Sequence, residues 1–245
     1  MTSDNPVITI DGPAASGKGT LAKSLSLELS FHLLDSGLLY RIVGLAATWA
    51  DIDVADKAAL TSFVNERLVF RINEEPATEL DPDRYEVYLF KAVGIEDIVR
   101  INDRNVNLEL RHGNAGVTAS VVAAESVVRR ALIPIQRAMA QSPGLIADGR
   151  DMGTVVFPDA PMKFYLDGSD KERAQRRFAE QLVSNPSASF NQTHDELVLR
   201  DQRDRERGIA PLVIADDAFV IDTTDLSIDG VFGCARDEIR RRLGI

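Results

Sequence analysis

The residues best equipped for chemistry lie in one run near the start of the chain, Gly12-Pro13-Ala14-Ala15-Ser16-Gly17-Lys18-Gly19-Thr20. Its G-x-x-x-x-G-K spacing is that of a phosphate-binding loop. Gly12 and Gly17 let the backbone turn tightly and bring its N–H groups within hydrogen-bonding reach of a polyphosphate, because no Cβ stands in the way. Lys18 supplies a fixed positive charge. The helix expected from Lys18 to Ser30 points the positive end of its dipole at the same anion. The run departs from G-x-x-x-x-G-K-[ST] at one position: Gly19 stands where a hydroxyl residue usually follows the lysine, and the hydroxyl comes one place later, at Thr20.

Two further constellations carry charge suited to phosphate. Within Asp195–Arg207, residues Arg200, Arg203, Asp204 and Arg207 recur at helical intervals and so share one face of a helix. Alternating charge is usually a solvated face, but in an acidic chain with a phosphate loop, three arginines on one face better suit a lid that closes over phosphates. The stretch Leu145-Ile146-Ala147-Asp148-Gly149-Arg150-Asp151 repeats the strand-to-glycine-turn form of the first run, so Asp148, Arg150 and Asp151 emerge at a strand's C-terminal end. Asp148 reads equally well as the Mg²⁺-side carboxylate of a phosphate-loop enzyme or as a turn cap. Ser36 and Arg41 follow the short apolar run His32-Leu33-Leu34, and Asp35-Ser36-Gly37 is a helix-start signal. They therefore sit where open α/β sheets place ligands, although Arg41 reads equally well as a solvated surface charge.

The elements that must position these residues alternate between strand and helix. Val7–Ile10 is a β-branched apolar run, and Leu21, Leu25 and Leu29 line one face of the helix after the loop. Leu68–Ile72 and Tyr85–Phe90 look like strands separated by the acidic, proline-containing turn Glu74–Asp83, which interrupts the alternation with a β-rich insertion. A helical stretch over Asn114–Gln141 carries Ser120 and Arg129, is apolar through Val117, Val121, Val128 and Leu132, and should kink or break at Pro134. Met162–Asp167 is a strand. The helix Ser169–Leu182 opens with a capping-box spacing from Ser169 to Glu172, and Ser184–Gln192 is polar. A strand at Ala218–Asp222 and a helix at Leu226–Leu243 complete a sheet of roughly five strands.

With 245 residues and 44% hydrophobic content, the chain suits one large domain or a domain carrying a smaller insertion. A net charge of −10 argues against binding to nucleic acid, which demands a basic footprint. No apolar run approaches the roughly 18 residues of a membrane span, and no basic, apolar leader precedes the first strand, so a cytoplasmic protein without membrane contact is expected. Cys234 has no disulfide partner within the chain and is expected to be a small buried apolar group; no Cys/His cluster suits zinc. His32, His112 and His194 take structural readings.

The stretches ITIDGPAASGKGT, HLLDSGLLYR, GLIADGRDMGTVVFPDAP, RDQRDRER followed by APLV, and AFVIDTTDLSID together resemble the bacterial cytidylate kinases, nucleoside monophosphate kinases of the phosphate-loop type. The resemblance implies an α/β fold with a parallel five-stranded core sheet flanked by helices, a small inserted β-rich domain that binds the monophosphate, and a short lid. The core would comprise 1–52 and 114–245, the insertion 53–113 and the lid 184–207. It implies phosphoryl transfer from ATP to CMP or dCMP by a monomer, with Mg²⁺ carried on ATP. By the same resemblance, Gly12 to Thr20 bind the ATP phosphates. Ser36, Arg41, Arg150, Arg200 and Arg207 hold the acceptor phosphate region, Ser120, Arg129 and Asp151 read cytosine, and Asp204 bonds the pentose hydroxyls. Lys18, Arg150, Arg203 and Arg207 would be the catalytic charges, with no direct metal ligand assigned. The sequence departs from the family pattern between Glu66 and Val117, where Gly94-Ile95-Glu96-Asp97-Ile98 and Leu110-Arg111-His112-Gly113 stand, so Arg111 receives no role. The rival readings are a kinase for another small acceptor such as UMP and a nucleotide-binding switch without transfer. No N-K-x-D guanine motif is present.

Overall fold

The computed structural model describes residues 5–74, 81, 83–90, 98–110 and 115–245. The chain separates into two compact units, residues 1–34 with 140–245, and residues 35–139.

The first unit is built on a parallel sheet. Its strands are β1 (Val7–Asp11), β2 (His32–Asp35), β7 (Leu145–Gly149), β8 (Met162–Asp167) and β9 (Phe219–Asp222), in the order β2-β7-β1-β8-β9. The central strand β1 is buried along its whole length, as its unbroken apolar run requires of a strand covered on both faces. Register places Ile10 opposite both Asp148 and Phe164, and Asp11 opposite Gly149 and Tyr165. The C-terminal ends of β1 and β7 are therefore level, β8 runs two residues further, and the loops that carry the chemistry leave from one edge of the sheet.

Helices α1 (Lys18–Leu29) and α8 (Ile228–Leu243) pack on this sheet. Ile8, Ile10, Leu21, Leu25, Ile146, Phe164, Leu166 and Ile239 form the core between them, each such side chain contributing about 1.5–3 kcal/mol by leaving water. Leu29, expected on the same face, is only half-buried. Cys234 is exposed, contrary to expectation: α8 turns Val231, Ala235, Glu238 and Ile239 inward, and position 234 falls on the other side of the helix.

Helices α6 (Asp170–Ser184) and α7 (Phe190–Glu206) pack against each other. The Ser169 side chain caps α6 by accepting from the Glu172 N–H at 3.3 Å, as the capping-box spacing predicts. Helix α7 starts at Phe190, earlier than the charge pattern suggests. Phe190 sets its ring edge-to-face against Phe178 of α6 at 5.9 Å, so an aromatic contact orders a turn that looked merely polar.

In the second unit, α2 (Ser36–Trp49) is capped by Asp35, whose carboxylate accepts from the Leu38 N–H at 3.0 Å. A short helix α3 (Lys57–Ser62) precedes a four-stranded sheet of β3 (Leu68–Ile72), β4 (Tyr85–Phe90), β5 (Ile98–Ile101) and β6 (Arg104–Asn105) in sequence order. β3 pairs with β4 in parallel, β4 with β5 and β5 with β6 antiparallel. Most of the expected turn Glu74–Asp83, the run Gly94–Asp97 and Arg111–Asn114 lie outside the described residues.

The helical stretch expected over Asn114–Gln141 is two helices, α4 (Ala115–Val122) and α5 (Ser126–Ala138). The break falls at Ala123–Glu125, not at Pro134. There the N–H groups of Ala124 and Glu125 bond to carbonyls three residues back, and Glu125 takes an extended conformation ahead of Ser126. Pro134 lies on the exposed face of α5, so the carbonyl that loses its partner faces solvent. Val117, expected to be buried, is exposed; the inward face is formed by Ala119, Val122, Val127, Val128 and Leu132. Among the described residues, no helix is long and apolar enough to cross a membrane.

Candidate active site

Gly12 leaves β1 at φ +148, where an added Cβ would meet the Leu166 carbonyl oxygen at 2.0 Å; the loop passes so close to β8 that only glycine fits. Gly17 precedes α1 in the left-handed region, at φ +90, and leaves the first turn of the helix without a side-chain cap. The N-terminus of α1 therefore keeps backbone donors pointing into the loop. Ala15, also left-handed at φ 57, carries a Cβ in a conformation that costs about 1–2 kcal/mol.

Lys18 folds back across this loop. Its Nζ donates to the Pro13 carbonyl at 2.6 Å and to Ser16 Oγ at 3.4 Å, and the side chain is buried. Burial pushes its pKa down to about 7, and the positive charges of Arg150 and Arg200 push the same way, against the pull of Asp148 and Asp11. Arg150 and Arg200 thus lie close enough to Lys18 to act on the same anion. Asp148 lies beside the N-terminus of α1, its Oδ2 3.4 Å from where a Cβ on Gly19 would sit. A larger residue after Lys18 would stand against that carboxylate.

The turn after β7 and helix α7 are joined by two crossed ion pairs. Arg150 Nε donates to Asp204 Oδ2 at 2.9 Å, and Arg207 Nη2 donates to Asp151 Oδ1 at 3.2 Å. Asp151 and Asp204 are both buried, so neither carboxylate is a surface decoration. Asp151 therefore pairs with Arg207 across the fold and not with its chain neighbour Arg150. Arg200 is half-buried on the same helix, whereas Arg203 is exposed and makes no ion pair among the described residues. The structure thus brings Lys18, Arg150, Asp151, Arg200, Asp204 and Arg207 to the loop edge of one unit.

Ser36, Arg41, Ser120 and Arg129 belong to the other unit. Arg41 pairs with Asp35 at 2.7 Å, and its Nε is buried with no hydrogen-bond partner among the described residues. Ser120 Oγ is likewise buried and unpartnered. Unsatisfied buried donors of this kind are costly unless a ligand completes them. Arg129 is almost wholly buried, and its Nη1 donates to the Tyr40 hydroxyl at 3.0 Å.

Three residues that sequence reasoning passed over support the loop. Asp11 accepts the N–H groups of Met152 and Gly153 at 2.8 and 2.7 Å, pinning the π-helical turn Met152–Val156; burial raises its pKa to about 7 despite those bonds. Asp201 accepts the Ala14 N–H at 3.1 Å, and Arg173 donates to the Ala14 carbonyl at 2.8 Å. Arg173 also bonds to Asp201 directly. Asp201 sits inside the arginine run, but only its helical position, turned away from Arg203, could have hinted at an inward role.

A glycine-bounded loop between a central parallel strand and a helix, ringed by lysine and arginines, defines a phosphate-loop protein of the kinase type. The comparisons with known proteins narrow this. The family model described as cytidylate kinase matches residues 8–241. The chain is 44% identical to a cytidylate kinase of Enterobacter sp., 43% to one of Erwinia tasmaniensis and 44% to one of Shigella sonnei, in each case over the whole of both chains. The chain belongs to the cytidylate kinase family; it is a kinase, a transferase of phosphoryl groups.

Proposed function

We propose that the chain transfers the terminal phosphoryl group of ATP to CMP, and to dCMP as a second acceptor, giving ADP and CDP or dCDP. The observation that carries this reading is the glycine-bounded loop from Gly12 to Gly17 with Lys18 folded across it and Arg150 and Arg200 close by. The backbone of Gly12–Thr20 and Lys18 take the ATP phosphates. Ser36, Arg41, Arg150, Arg200 and Arg207 take the acceptor phosphate region, Ser120, Arg129 and Asp151 the cytosine, and Asp204 the pentose hydroxyls. Residues 53–113, which contain the four-stranded sheet, are read as the acceptor-binding insertion, and 184–207 as the lid. Arg203, exposed near the end of α7, is read as a further catalytic charge beside Lys18, Arg150 and Arg207.

Transfer of this kind needs no covalent intermediate and no histidine base, because a phosphate monoester dianion is already a nucleophile; positioning and charge do the work. The ion pairs Arg150–Asp204 and Arg207–Asp151 keep the arginines neutralised and oriented. An entering phosphate takes the guanidinium donors that these pairs leave over, while Asp204 and Asp151 use their remaining lone pairs to accept from sugar hydroxyls and the base. Mg²⁺ bound with ATP neutralises charge on the phosphates. Asp148, a hard oxygen donor beside the helix N-terminus, fits such an ion, and it is the residue that would hold it.

Initial rates over a panel of CMP, dCMP, UMP and sugar acceptors, with products identified by phosphorus resonance, test the reading. CMP and dCMP are expected to be the fastest acceptors. UMP turning over as fast as CMP, or binding of ATP with no phosphorylated product, would refute it.

Lys18 also gives the reaction a pH signature. A lysine with a pKa of about 7 is largely neutral at pH 8, while a bound polyphosphate supplies the counter-charge that restores the ammonium. Binding ATP then takes up a proton, and affinity falls as pH rises above about 7, by up to tenfold per unit. Calorimetry at about pH 8, in buffers of differing ionisation enthalpy, should give net proton uptake. No dependence on buffer would mean that Lys18 is already charged before ATP arrives.

A further inference from the structure

The phosphate loop bends through Ala15 in the left-handed region, at φ 57, although the residue carries a Cβ and the loop's three glycines lie elsewhere. The bend is held from outside the loop, through the peptide groups on either side of it. The Ala14 N–H donates to Asp201 Oδ1 at 3.1 Å, and the Ala14 carbonyl accepts from Arg173 Nη1 at 2.8 Å. On the other side, the Thr223 hydroxyl shares its proton between the carbonyls of Asp167 at 2.8 Å and Ser16 at 3.3 Å, while accepting from Arg176 Nη1 at 3.0 Å.

The two charged members are built in firmly. Arg173 is fully buried; its Nε donates to the Gly168 carbonyl at 3.0 Å, its Nη2 to Asp170 at 2.6 Å, and its Nη1 also to Asp201 Oδ2. Asp201 is 2% exposed. A buried ion pair is weak evidence for stability, since an apolar pair of similar volume often does as well. This pair does something an apolar pair would not: each partner also bonds to the same residue of the phosphate loop, one at its N–H and one at its carbonyl.

We propose that Asp201 and Arg173 are positioning residues for phosphoryl transfer, which hold the loop in its left-handed bend at Ala15 so that its remaining N–H groups converge on the ATP phosphates. They act through the loop backbone and touch neither substrate. The inference rests on the reading of Gly12–Thr20 as the ATP phosphate loop.

Steady-state kinetics with ATP and CMP varied separately test it, on Asp201→Ala, Asp201→Asn and Arg173→Lys, each with its thermal unfolding recorded. Asp201→Ala should raise the KM for ATP at least about tenfold while moving that for CMP less than about twofold. Asp201→Asn keeps an acceptor for the Ala14 N–H and should fall between. Adding Ala15→Gly to Asp201→Ala lowers the cost of the left-handed bend and should recover a large part of the lost ATP affinity, which a general loss of stability would not allow. Should Asp201→Ala fail to fold, Asp201→Asn and Arg173→Lys carry the same expectation of a KM split, and Ala15→Gly is added to them. Equal rises for both substrates, unchanged KM values, or no recovery with Ala15→Gly would overturn the proposal. Lys18→Ala run alongside separates the two readings. If it is inactive while the Asp201 variants behave like the parent, only the clamp fails; if it keeps full activity, the loop assignment fails and takes the clamp with it.

Discussion

Lys18→Ala should lower kcat/KM for ATP by two to three orders of magnitude and leave the protein folded. The rate effect follows from removing one preorganised positive charge aimed at phosphate oxygens that gain charge in transfer, a loss of about 2.7–4 kcal/mol by analogy with oxyanion donors. The stability effect is smaller because two consequences oppose each other. The Pro13 carbonyl loses the 2.6 Å bond from Nζ, and a buried acceptor left unsatisfied costs about 1–3 kcal/mol. The chain is also relieved of an ammonium whose burial drags its pKa down to about 7, which means that the charged lysine destabilises the fold at neutral pH. The sign is that of a lysine with a depressed folded-state pKa: the unfolded chain binds more protons between about 7 and 10.5, so this contribution to stability grows as pH rises through that window and is absent in the alanine variant. Coupled-assay kinetics beside thermal unfolding at two pH values measure both effects. A variant with near-normal turnover would remove the loop from the mechanism.

The phosphate loop was legible because its chemistry is local: strand, glycines, lysine and helix are consecutive, and each acts through its own backbone or charge. The five core strands were likewise visible as apolar runs. Their order β2-β7-β1-β8-β9 was not, since it depends on which runs pair across the chain. The support of the loop was illegible for the same reason. Asp201 meets Ala14 across 187 positions and Arg173 across 28, and in the sequence Asp201 is one more charge in an alternating run. Periodicity put Arg200, Arg203, Asp204 and Arg207 on one helix, but it could not distinguish Arg207, paired with Asp151, from Arg203, which points to solvent. The break between α4 and α5 shows the same limit. A proline is a strong local signal, yet on an exposed helix face the carbonyl that loses its partner faces solvent, and the chain turned where no residue announced it. In the second unit, β5 and β6 are too short for alternation to mark them.

Asp151→Asn should lower efficiency with CMP and narrow the preference for CMP over UMP. Cytosine presents an amino donor at N4 beside acceptors at N3 and O2, so a reader needs an acceptor for the first and donors for the others. A carboxylate and a guanidinium meet that need, and Asp151 and Arg129 are the proposed pair. Asp151 is suited to the task by its setting: it is 2% exposed, so water cannot mask a mismatch, and Arg207 at 3.2 Å holds it oriented. Uracil reverses the pattern, turning O4 toward the carboxylate and N3–H toward the guanidinium, and each buried group left mispaired costs about 1–3 kcal/mol. Asparagine keeps an oxygen to accept from Arg207 while offering its amide N–H to O4, so the substitution preserves the cross-link to α7 and changes the sign of the hydrogen bond that the base sees. Competition kinetics with CMP and UMP in one reaction measure the ratio directly, and thermal unfolding shows whether the Arg207 pair survives. If the variant loses activity on both acceptors by the same factor, Asp151 serves only to neutralise Arg207, and the discrimination between the two pyrimidines belongs to Arg129 and Ser120.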